Sequence, residues 1–355
     1  MATIRDVARN SGVSTATVSN VLNGKHDRVS QGTRDRVLAA VRELRYRPTA
    51  LEDRQKAILT RNIGLMVGNL TKNPLSHTYF TEALNGVLEV SALRGFSTTI
   101  FVEKMWDDVG HHVRRSYDGR CDGLINVAPD MNSEVVSSLQ ARGTPMVLIG
   151  TTASLPNVAS VDIDNESAGR QLAMHMLELG HSRFAFFGPS MHHASGVERE
   201  RGFRTAILAN RPIGLVYRSF GFQDHRPPIS EQVEKMLLAP LNELPTAIVG
   251  WNDGDALEVV NALRERHIDI SKIAFAGVDN TPDGQSFGLT TIENPTYLLG
   301  KRAANLLIEH AQDHTLPTEV VRFPANLLVR SSSVPYGSNG VYSSSKFFGS
   351  NGGSK

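Results

Sequence analysis

A run of hydroxyl and amide side chains near the start of the chain is well suited to bind a polyanion. It spans eleven residues, Ser14 to Gly24, reads STATVSNVLNG, and separates two segments with helical spacing of apolar residues. A helix pressed against a nucleic acid needs small polar groups for phosphate oxygens and short side chains that allow close approach to bases. We predict backbone contacts from Ser14, Thr17 and Ser19. We predict base contacts from Thr15, Ala16 and Asn20, since asparagine can pair with adenine through two hydrogen bonds. A capped surface helix is the alternative for these eleven residues.

Patterns that would indicate catalysis or metal binding are absent from the sequence. It contains no GxGxxG, no GxxxxGK[ST] and no HExxH. The histidine pairs 111–112 and 192–193 are adjacent in sequence. Neighbouring side chains diverge on a helix and face opposite sides of a strand, so they are poor joint metal ligands. We interpret these as surface histidines and expect no enzyme activity, no cofactor and no metal.

The hydroxyl run lies within a short basic segment that is predicted to be helical. Thr3 can cap a first helix and Ser14 a second, whose inner face would carry Val18, Val21 and Leu22. A third helix is predicted within VSQGTRDRVLAAVRELRYRP and ends at Pro48. Two short helices joined by a tight turn predict a helix-turn-helix, whose second helix enters the major groove of double-stranded DNA.

The distribution of charge separates this segment from the rest of the chain. Residues 1–61 hold 12 Lys/Arg and 6 Asp/Glu, a net charge of +6, whereas the remainder holds 25 and 30, a net charge of −5. A basic module joined to an acidic body is typical of a polyanion-binding domain attached to a domain with another task.

From residue 63 onward, short apolar strands alternate with amphipathic helices. The predicted strands are IGLMVG, STTIFV, GLINVA, MVLIG, ASVDID, RFAFFG, TAIVGW and IAFAGV. Helices such as FTEALNGVLEVSALRG, SAGRQLAMHMLELG and GDALEVVNALRERH lie between them. Such alternation predicts parallel sheets covered by helices, and about eight units favour two α/β lobes over one. The predicted fold is therefore a small all-α helix-turn-helix headpiece followed by a two-lobed α/β core.

Several bulk features bound the remaining possibilities. Cys121 is the only cysteine, so no disulfide can form within the chain. We find no apolar stretch long enough to span a bilayer and no signal peptide in MATIRDVARN, and we therefore expect no membrane association and a cytoplasmic location. Residues 331–355 are rich in Ser and Gly, and we predict a disordered tail there.

Several motifs occur in an order that resembles the lactose-repressor (LacI/GalR-type) family of transcription regulators. They include ATIRDVARNSGVSTATVSNVLNG, RCDGLINVAP, VDIDNESAGRQLAMHMLELGHSRFAFFG, ERERGFRTAI, PTAIVGWNDGDALEVVNALRE, AFAGVDN, LTTIENP and NLLVRSSS. The resemblance implies a DNA-binding headpiece at 1–48 and a hinge at 49–61. It also implies a two-lobed core of the periplasmic sugar-binding-protein type at 62–330. Members of the family form homodimers on near-palindromic operators.

The same resemblance implies a small-molecule site in the cleft between the lobes. The positions that reach the ligand in family members correspond here to Ser195, Arg199, Asn252, Asp253 and Asp279. Arg199 offers a planar donor fork and Asp279 an acceptor for paired hydroxyls. Aromatic rings for stacking are expected from Tyr79 or Phe80 and from Phe220 or Phe222. The alternatives are helix caps for the acidic and amide residues, and core packing for the phenylalanines.

Two places in the core depart from the family pattern. Gly150, Thr151 and Thr152 follow MVLIG, where the family often has a charged residue that reaches the cleft. The region from Asn73 to Thr78 is longer than usual. Both departures weaken any inference about which ligand is bound.

The hinge also departs from the family pattern, in which a leucine wedges into the minor groove. Gln55 occupies the place of that leucine, and Glu52 and Asp53 replace the usual Ala and Arg. Carboxylates beside phosphates are repelled, and glutamine cannot wedge between bases as leucine does. Leu51, one helical turn earlier, and Leu59, one turn later, are the candidate substitutes.

Two functions are consistent with these patterns. The first is a ligand-responsive, sequence-specific repressor that acts as a homodimer on double-stranded operator DNA, with a sugar-like effector in the cleft. The second is a small-molecule binding protein whose DNA binding is weakened or altered by the atypical hinge. A secreted sugar-binding protein would share the lobes but would carry a signal peptide and no helix-turn-helix.

Overall fold

The computed structural model describes residues 4–22, 29–44, 59–67, 78–101, 120–151 and 158–337. Three helices form the N-terminal headpiece: α1 (Ile4–Ser11), α2 (Thr15–Leu22) and α3 (Gln31–Glu43). Gly12, with φ of +66°, makes the turn between α1 and α2 because a residue without Cβ adopts this conformation without strain. The buried residues shared by the three helices are Val7, Ala8, Val18, Val21, Val37 and Ala40. The predicted helix-turn-helix is confirmed.

The first lobe is a six-stranded parallel sheet covered by helices. Its strands are β1 (Asn62–Val67), β2 (Ser97–Phe101), β3 (Gly123–Val127), β4 (Met146–Ile149), β5 (Ala159–Ile163) and β11 (Val320–Phe323). They are ordered β11-β5-β4-β3-β1-β2. Its helices are α4 (Thr78–Arg94), α5 (Glu134–Ala141) and α11 (Thr296–Gln312). Every residue of β3 and β5 is buried, as expected for central strands covered on both faces.

The second lobe repeats this architecture. Its strands are β6 (Arg183–Phe187), β7 (Val216–Phe220), β8 (Ala247–Gly250), β9 (Ala274–Val278), β10 (Thr290–Glu293) and β12 (Asn326–Leu328). They are ordered β12-β10-β9-β8-β6-β7, and β12 alone is antiparallel to its neighbour in this sheet. Its helices are α6 (Asn165–Glu178), α7 (Ala194–Asn210), α8 (Ile229–Leu237), α9 (Asp253–Glu265) and α10 (Pro282–Phe287). The two predicted α/β lobes are therefore confirmed, and all eight predicted strands are present.

The chain crosses between the lobes three times. It leaves the first lobe after β5, returns after β10 to form α11 and β11, and crosses again to add β12 to the second sheet. Asn294 and Pro295 of the second connection line a cleft between the lobes.

A pair of helices in each lobe crosses at backbone contact, and glycines make this possible. In the second lobe, α6 meets α7 at Gly169 and Gly202; a Cβ on these residues would lie 1.9 Å from the carbonyl oxygen of Arg199 and 2.1 Å from that of Glu166. In the first lobe, α4 meets α11 at Gly86 and Gly300 in the same way, with backbone carbonyls at 2.1 and 2.2 Å. Neither helix pair could approach so closely with a side chain at these positions.

The C-terminal boundary of the core lies later than the sequence predicts. Residues 331–336 are not part of a disordered tail, since they are bound to the second lobe. Ser332 Oγ donates to the Phe275 carbonyl (2.7 Å), and the Tyr336 amide donates to the Leu179 carbonyl (2.9 Å). Their Ser-rich composition suggested disorder because it holds few apolar residues, whereas hydrogen bonds and the packing of Val334 against the core of the second lobe hold the segment in place. Residues 338–355 of the predicted tail lie outside the described part of the chain.

No helix within the described ranges is long and apolar enough to cross a membrane.

The glycine contact between α6 and α7 leads to a stability prediction. Gly169→Ala should lower the free energy of unfolding by about 1–3 kcal/mol, because the new methyl group would force two backbones apart. The matched control is Gly254→Ala in α9, where the nearest atom to a new Cβ is Asn252 Oδ1 at 3.4 Å. That variant should be neutral or more stable by up to about 1 kcal/mol. Urea titration followed by circular dichroism measures both, and equal destabilisation would contradict the close-contact argument.

Candidate ligand cleft and nucleic-acid interface

The outer face of α2 is polar and its inner face is apolar, as predicted. Thr15 and Ala16 are exposed and Asn20 is half-buried, whereas Val18 and Val21 are buried. These positions leave the predicted base-reading side chains accessible to a major groove. The predicted backbone contacts Thr17 and Ser19 are half-buried on the same helix.

Ser14 caps α2. Its Oγ accepts a hydrogen bond from the Thr17 amide at 3.1 Å and lies 2.9 Å from the Thr17 hydroxyl. The hydroxyl at this position is therefore explained by helix capping, and the phosphate contact predicted for Ser14 stays a prediction.

One of the three candidate hinge residues is placed by the structure. Leu59 lies outside any helix and packs against the apolar core of the first lobe, and the next residue, Thr60, donates its amide to Asp122 Oδ1 at 2.8 Å. The suggestion that Leu59 replaces the family's wedge is corrected, because its side chain contributes to the core. Leu51 and Gln55 lie outside the described residues, so their roles stay predictions.

A cleft of about 980 Å³ lies between the lobes. Tyr79, Ala128 and Gly150 line it from the first lobe, and Arg199, Trp251 and Asp279 are among the residues that line it from the second. A volume of this size accommodates a small organic molecule. A ligand bound here would touch both lobes.

Arg199 is the central cation of the cleft. It projects from α7, is 3% exposed, and donates through Nε to Asn165 Oδ1 (2.8 Å) and through Nη1 to the Trp251 carbonyl (2.6 Å). Its guanidinium carbon lies 5.7 Å from the centre of the Trp251 ring. Two fixed hydrogen bonds hold the planar group in one orientation, with its remaining donors available to a ligand.

Carboxylates from both lobes compensate this cation. Burial raises the pKa of Asp162 at the end of β5 to about 6, and the Arg199 guanidinium opposes the shift. Burial also raises the pKa of Asp279, while Arg199 and a hydrogen bond from Asn294 Nδ2 (3.0 Å) hold it down. The pKa of the Tyr79 hydroxyl is raised by burial and by the charges of Asp162 and Asp279, so Tyr79 remains a phenol.

The structure explains the missing charged residue after β4. Gly150 has φ of +77°, and a Cβ on it would lie 2.4 Å from the Tyr79 hydroxyl oxygen. The space beside this strand end is therefore filled by Tyr79 from α4. Of the two aromatic residues considered at this place, Tyr79 lines the cleft, whereas Phe80 is fully buried in the first lobe.

Ser195 and Asn252 also line the cleft. Asn252 is the N-cap of α9, since its Oδ1 accepts from the Asp255 amide at 2.7 Å. For Asn252, the capping and ligand-binding interpretations are compatible, because the amide nitrogen is not needed by the cap.

Asp253 does not line the cleft, contrary to the prediction. It is fully buried and accepts hydrogen bonds from the Thr281 amide (2.8 Å), the Thr281 hydroxyl (3.2 Å) and the Thr291 hydroxyl (2.6 Å). Burial raises its pKa to about 7, with a further contribution from the charge of Asp279. Its carboxylate ties α9 to the loop before α10 and to β10.

Phe220 is also wrongly predicted as a ligand-stacking residue. It stacks on Phe187 with ring centres 4.9 Å apart and packs into the second lobe's core. Phe222 is likewise packed, against Phe186, with ring centres 6.2 Å apart. Both rings therefore pack within the second lobe.

The aromatic residue that the second lobe presents to the cleft is Trp251. It lies between β8 and α9, and the His193 ring stacks on it with a centroid distance of 5.5 Å. The interpretation of His193 as a surface histidine is wrong, because it is half-buried and lines the cleft. The sequence signal that could have identified Trp251 as a cleft residue is its position directly after a buried strand and beside Asn252.

Comparisons with known proteins agree with this architecture. The profile "Bacterial regulatory proteins, lacI family" matches residues 3–49, and "Periplasmic binding protein-like domain" matches residues 173–333. The HTH-type transcriptional repressor PurR of Aliivibrio salmonicida (strain LFI1238) is 31% identical over 344 residues, covering 94% of this chain and 99% of the relative. Catabolite control protein A of Priestia megaterium is 27% identical, covering 93% and 99%.

Solved structures give the same result. The transcriptional regulator CelR–cellobiose complex superposes with a TM-score of 0.68 at 25% identity, covering 94% of this chain and 100% of that one. The lac repressor dimer bound to operator and the anti-inducer ONPF superposes with a TM-score of 0.64 at 24% identity, covering 94% and 99%. From the profile matches and the near full-length PurR similarity, we conclude that this chain belongs to the LacI family of DNA-binding transcriptional regulators.

Proposed function

We propose that this protein is a homodimeric repressor whose affinity for operator DNA is set by a small polar effector bound between the lobes. The observation that supports this most directly is the arrangement around Arg199. The guanidinium belongs to the second lobe, yet Asp162 of the first lobe lies within electrostatic reach of it, and Tyr79 lines the same cleft. Binding of a ligand to these groups depends on how the lobes are placed.

The effector acts by shifting the population of two lobe arrangements. A ligand that fits one arrangement better than the other favours it by the difference in its binding free energies. Each hinge is joined directly to the first lobe of its chain. A change in the placement of that lobe therefore alters the spacing of the two headpieces in a dimer. Operator half-sites lie at fixed spacings on the duplex, and affinity falls when the headpieces no longer match them.

The chemistry of the cleft fits a hydroxylated ligand. Asp279 supplies a carboxylate, Arg199 a donor fork, and Tyr79 and Trp251 supply ring faces. Sugars are bound by this combination of planar hydrogen-bonding groups and aromatic faces. One solved relative is a complex with cellobiose, which supports a sugar-like effector here as well.

Asn20 should contribute sequence specificity. Asn20→Ala should weaken operator binding by about 1–3 kcal/mol and relax preference at one base position, because a bidentate pair with a base is lost. The matched control is Asn261→Ala on the exposed surface of α9, which should leave affinity unchanged. Fluorescence anisotropy with operators changed one position at a time provides the measurement. Equal weakening on every sequence would instead make Asn20 a phosphate contact.

Arg199 and Asp279 should be required for the response to effector. Arg199→Met and Asp279→Asn keep most of the side-chain volume but remove a donor fork and a charged acceptor. Each should weaken effector binding by about 1–3 kcal/mol or more while operator affinity in the absence of effector stays close to wild type. Isothermal titration calorimetry gives the first quantity and anisotropy the second. Unchanged effector affinity in both variants would place the site elsewhere.

Asp253 should affect stability in a pH-dependent manner. Its pKa is about 7 in the folded protein and near 3.8 unfolded, so its stabilising contribution is complete below pH 4 and is lost as the pH rises to 7. Asp253→Asn cannot titrate. The free energy of unfolding of the wild type minus that of the variant should therefore fall between pH 4 and 7, by at most about 4 kcal/mol. Urea titrations across this range measure the difference, and parallel pH profiles would contradict the assignment.

A further inference from the structure

Acidic side chains outnumber basic ones among the described residues that line the cleft. Their carboxylates come from Glu82, Asp279, Asp283 and Glu293, whereas Arg199 supplies the guanidinium that opposes them. A cleft with low-dielectric walls concentrates the field of such charges on whatever enters it.

The positive charge of Arg199 is already compensated before any ligand binds. Asp162 and Asp279 both lie within its electrostatic reach. Two of its nitrogens donate to Asn165 and to the Trp251 carbonyl. An anionic ligand that approaches this guanidinium would also be repelled by the two carboxylates that compensate it.

His193 adds no cation at neutral pH. Burial lowers the pKa of its imidazole, and Asp130 only partly opposes this shift. The neutral ring stacks on Trp251 and offers the cleft a hydrogen-bonding nitrogen and no positive charge.

A buried acceptor in the cleft lacks a donor. Asn294 is 7% exposed and lines the cleft, and its Oδ1 has no hydrogen-bond partner among the described residues. Its Nδ2 donates to Asp279 Oδ1 at 3.0 Å, which fixes the orientation of the amide, since the reverse orientation would set two oxygens against each other. A ligand group with hydrogens to donate would satisfy this oxygen.

The aromatic rings of the cleft already hold cations of their own lobes. The Lys301 ammonium lies 5.3 Å from the centre of the Tyr297 ring, and the Arg199 guanidinium carbon lies 5.7 Å from that of Trp251. The preference for positive charge therefore rests on the carboxylates and on the unpartnered acceptor, which together form the surroundings that a protonated amine requires.

We propose that the effector is a hydroxylated amine, such as an amino sugar, whose ammonium group binds beside Asp279 and Asn294 Oδ1. The proposal rests on the function proposed above for the cleft and specifies the charge of its ligand. The hydroxyl groups of the same molecule bind the remaining donors and acceptors. Phosphorylated and carboxylated molecules of similar size are disfavoured by the same field.

The first test measures the electrostatic field inside the cleft in the absence of a ligand. The chain contains two tryptophans, Trp106 and Trp251, so Trp106→Phe leaves Trp251 as the sole reporter. Each quenching constant is divided by that of the same ion for free N-acetyltryptophanamide. At equal ionic strength, the normalised constant of Trp251 should be at least about threefold larger for caesium than for iodide, because cations accumulate in the cleft. Adding Glu293→Gln and Asp283→Asn should bring the two normalised constants together. A normalised iodide constant that equals or exceeds that of caesium would overturn the proposal.

The second test compares ligands that share a sugar skeleton and differ in charge. Glucose, galactose and mannose are each paired with their 2-amino, 2-acetylamino and 6-phosphate counterparts and titrated into the full-length protein by calorimetry. The strongest amino compound should bind at least about tenfold more tightly than its acetylated counterpart, since acetylation removes the charge but keeps the skeleton. Asp279→Asn should abolish that preference, and Glu293→Gln should reduce it. A neutral or phosphorylated compound that binds as well as its amine, or no measurable binding by any amine, would overturn the proposal.

Measuring operator affinity with each bound compound distinguishes a failure of this proposal from a failure of the function on which it rests. A neutral or anionic compound that binds the cleft and changes operator affinity would refute the proposed positive charge of the effector. The proposed repressor function would still hold. If Arg199→Met bound that compound as tightly as the wild type does, the effector site would not be this cleft, and both proposals would be wrong.

Discussion

The backbone contact between α6 and α7 is the constraint on which the cleft depends. Gly169 and Gly202 allow the helices to approach until the carbonyls of Arg199 and Glu166 would meet any added side chain. This approach brings Asn165, at the start of α6, within hydrogen-bond distance of the Arg199 guanidinium at 2.8 Å. A larger separation would leave a buried charge without the hydrogen bonds that make its burial tolerable. The geometry of the cation in the cleft thus follows from two residues that have no side chain.

The first lobe uses the same device for its own wall of the cleft. Gly86 and Gly300 let α4 and α11 touch, and these helices begin with the cleft residues Thr78 and Tyr79 and with Thr296 and Tyr297. Since α11 follows the second crossover between the lobes, its close contact with α4 also anchors the connecting segment. Each wall is therefore held together by a close helix contact within its own lobe, and three connections join the two lobes. This is the condition under which a ligand touching both walls selects an arrangement of whole lobes.

The sequence predicted the parts of this structure that depend on local patterns. Periodicity identified the headpiece helices and eight of the twelve strands within the described residues, most of them buried. It missed β7, β11 and β12, which are partly exposed, and the short buried strand β10, in which Ile292 is the single apolar residue. The resemblance to a family placed Arg199, Asp279, Ser195 and Asn252 along the cleft, and it failed for Asp253. The separate expectation of a stacking ring at Phe220 failed as well. Both side chains pack into the second lobe, and a sequence motif does not encode which of two neighbouring residues faces the ligand.

The C-terminal segment shows why chain composition alone misplaced the end of the core. Arg330 donates to Asn280 Oδ1 (2.6 Å) and to the Leu289 carbonyl (2.8 Å), and Asn280 lines the cleft with φ of +54° next to Asp279 at +112°. A backbone in this region is strained for residues other than glycine and persists only where surrounding contacts hold it. Serines 331–333 continue from Arg330, and His181 Nε2 donates to the Val334 carbonyl at 2.8 Å, so the segment that fixes Arg330 is itself fixed. The polar end of the chain is ordered because it supports the conformation of a ligand-facing turn, and this requirement is visible only after the fold has brought residues 280 and 330 together.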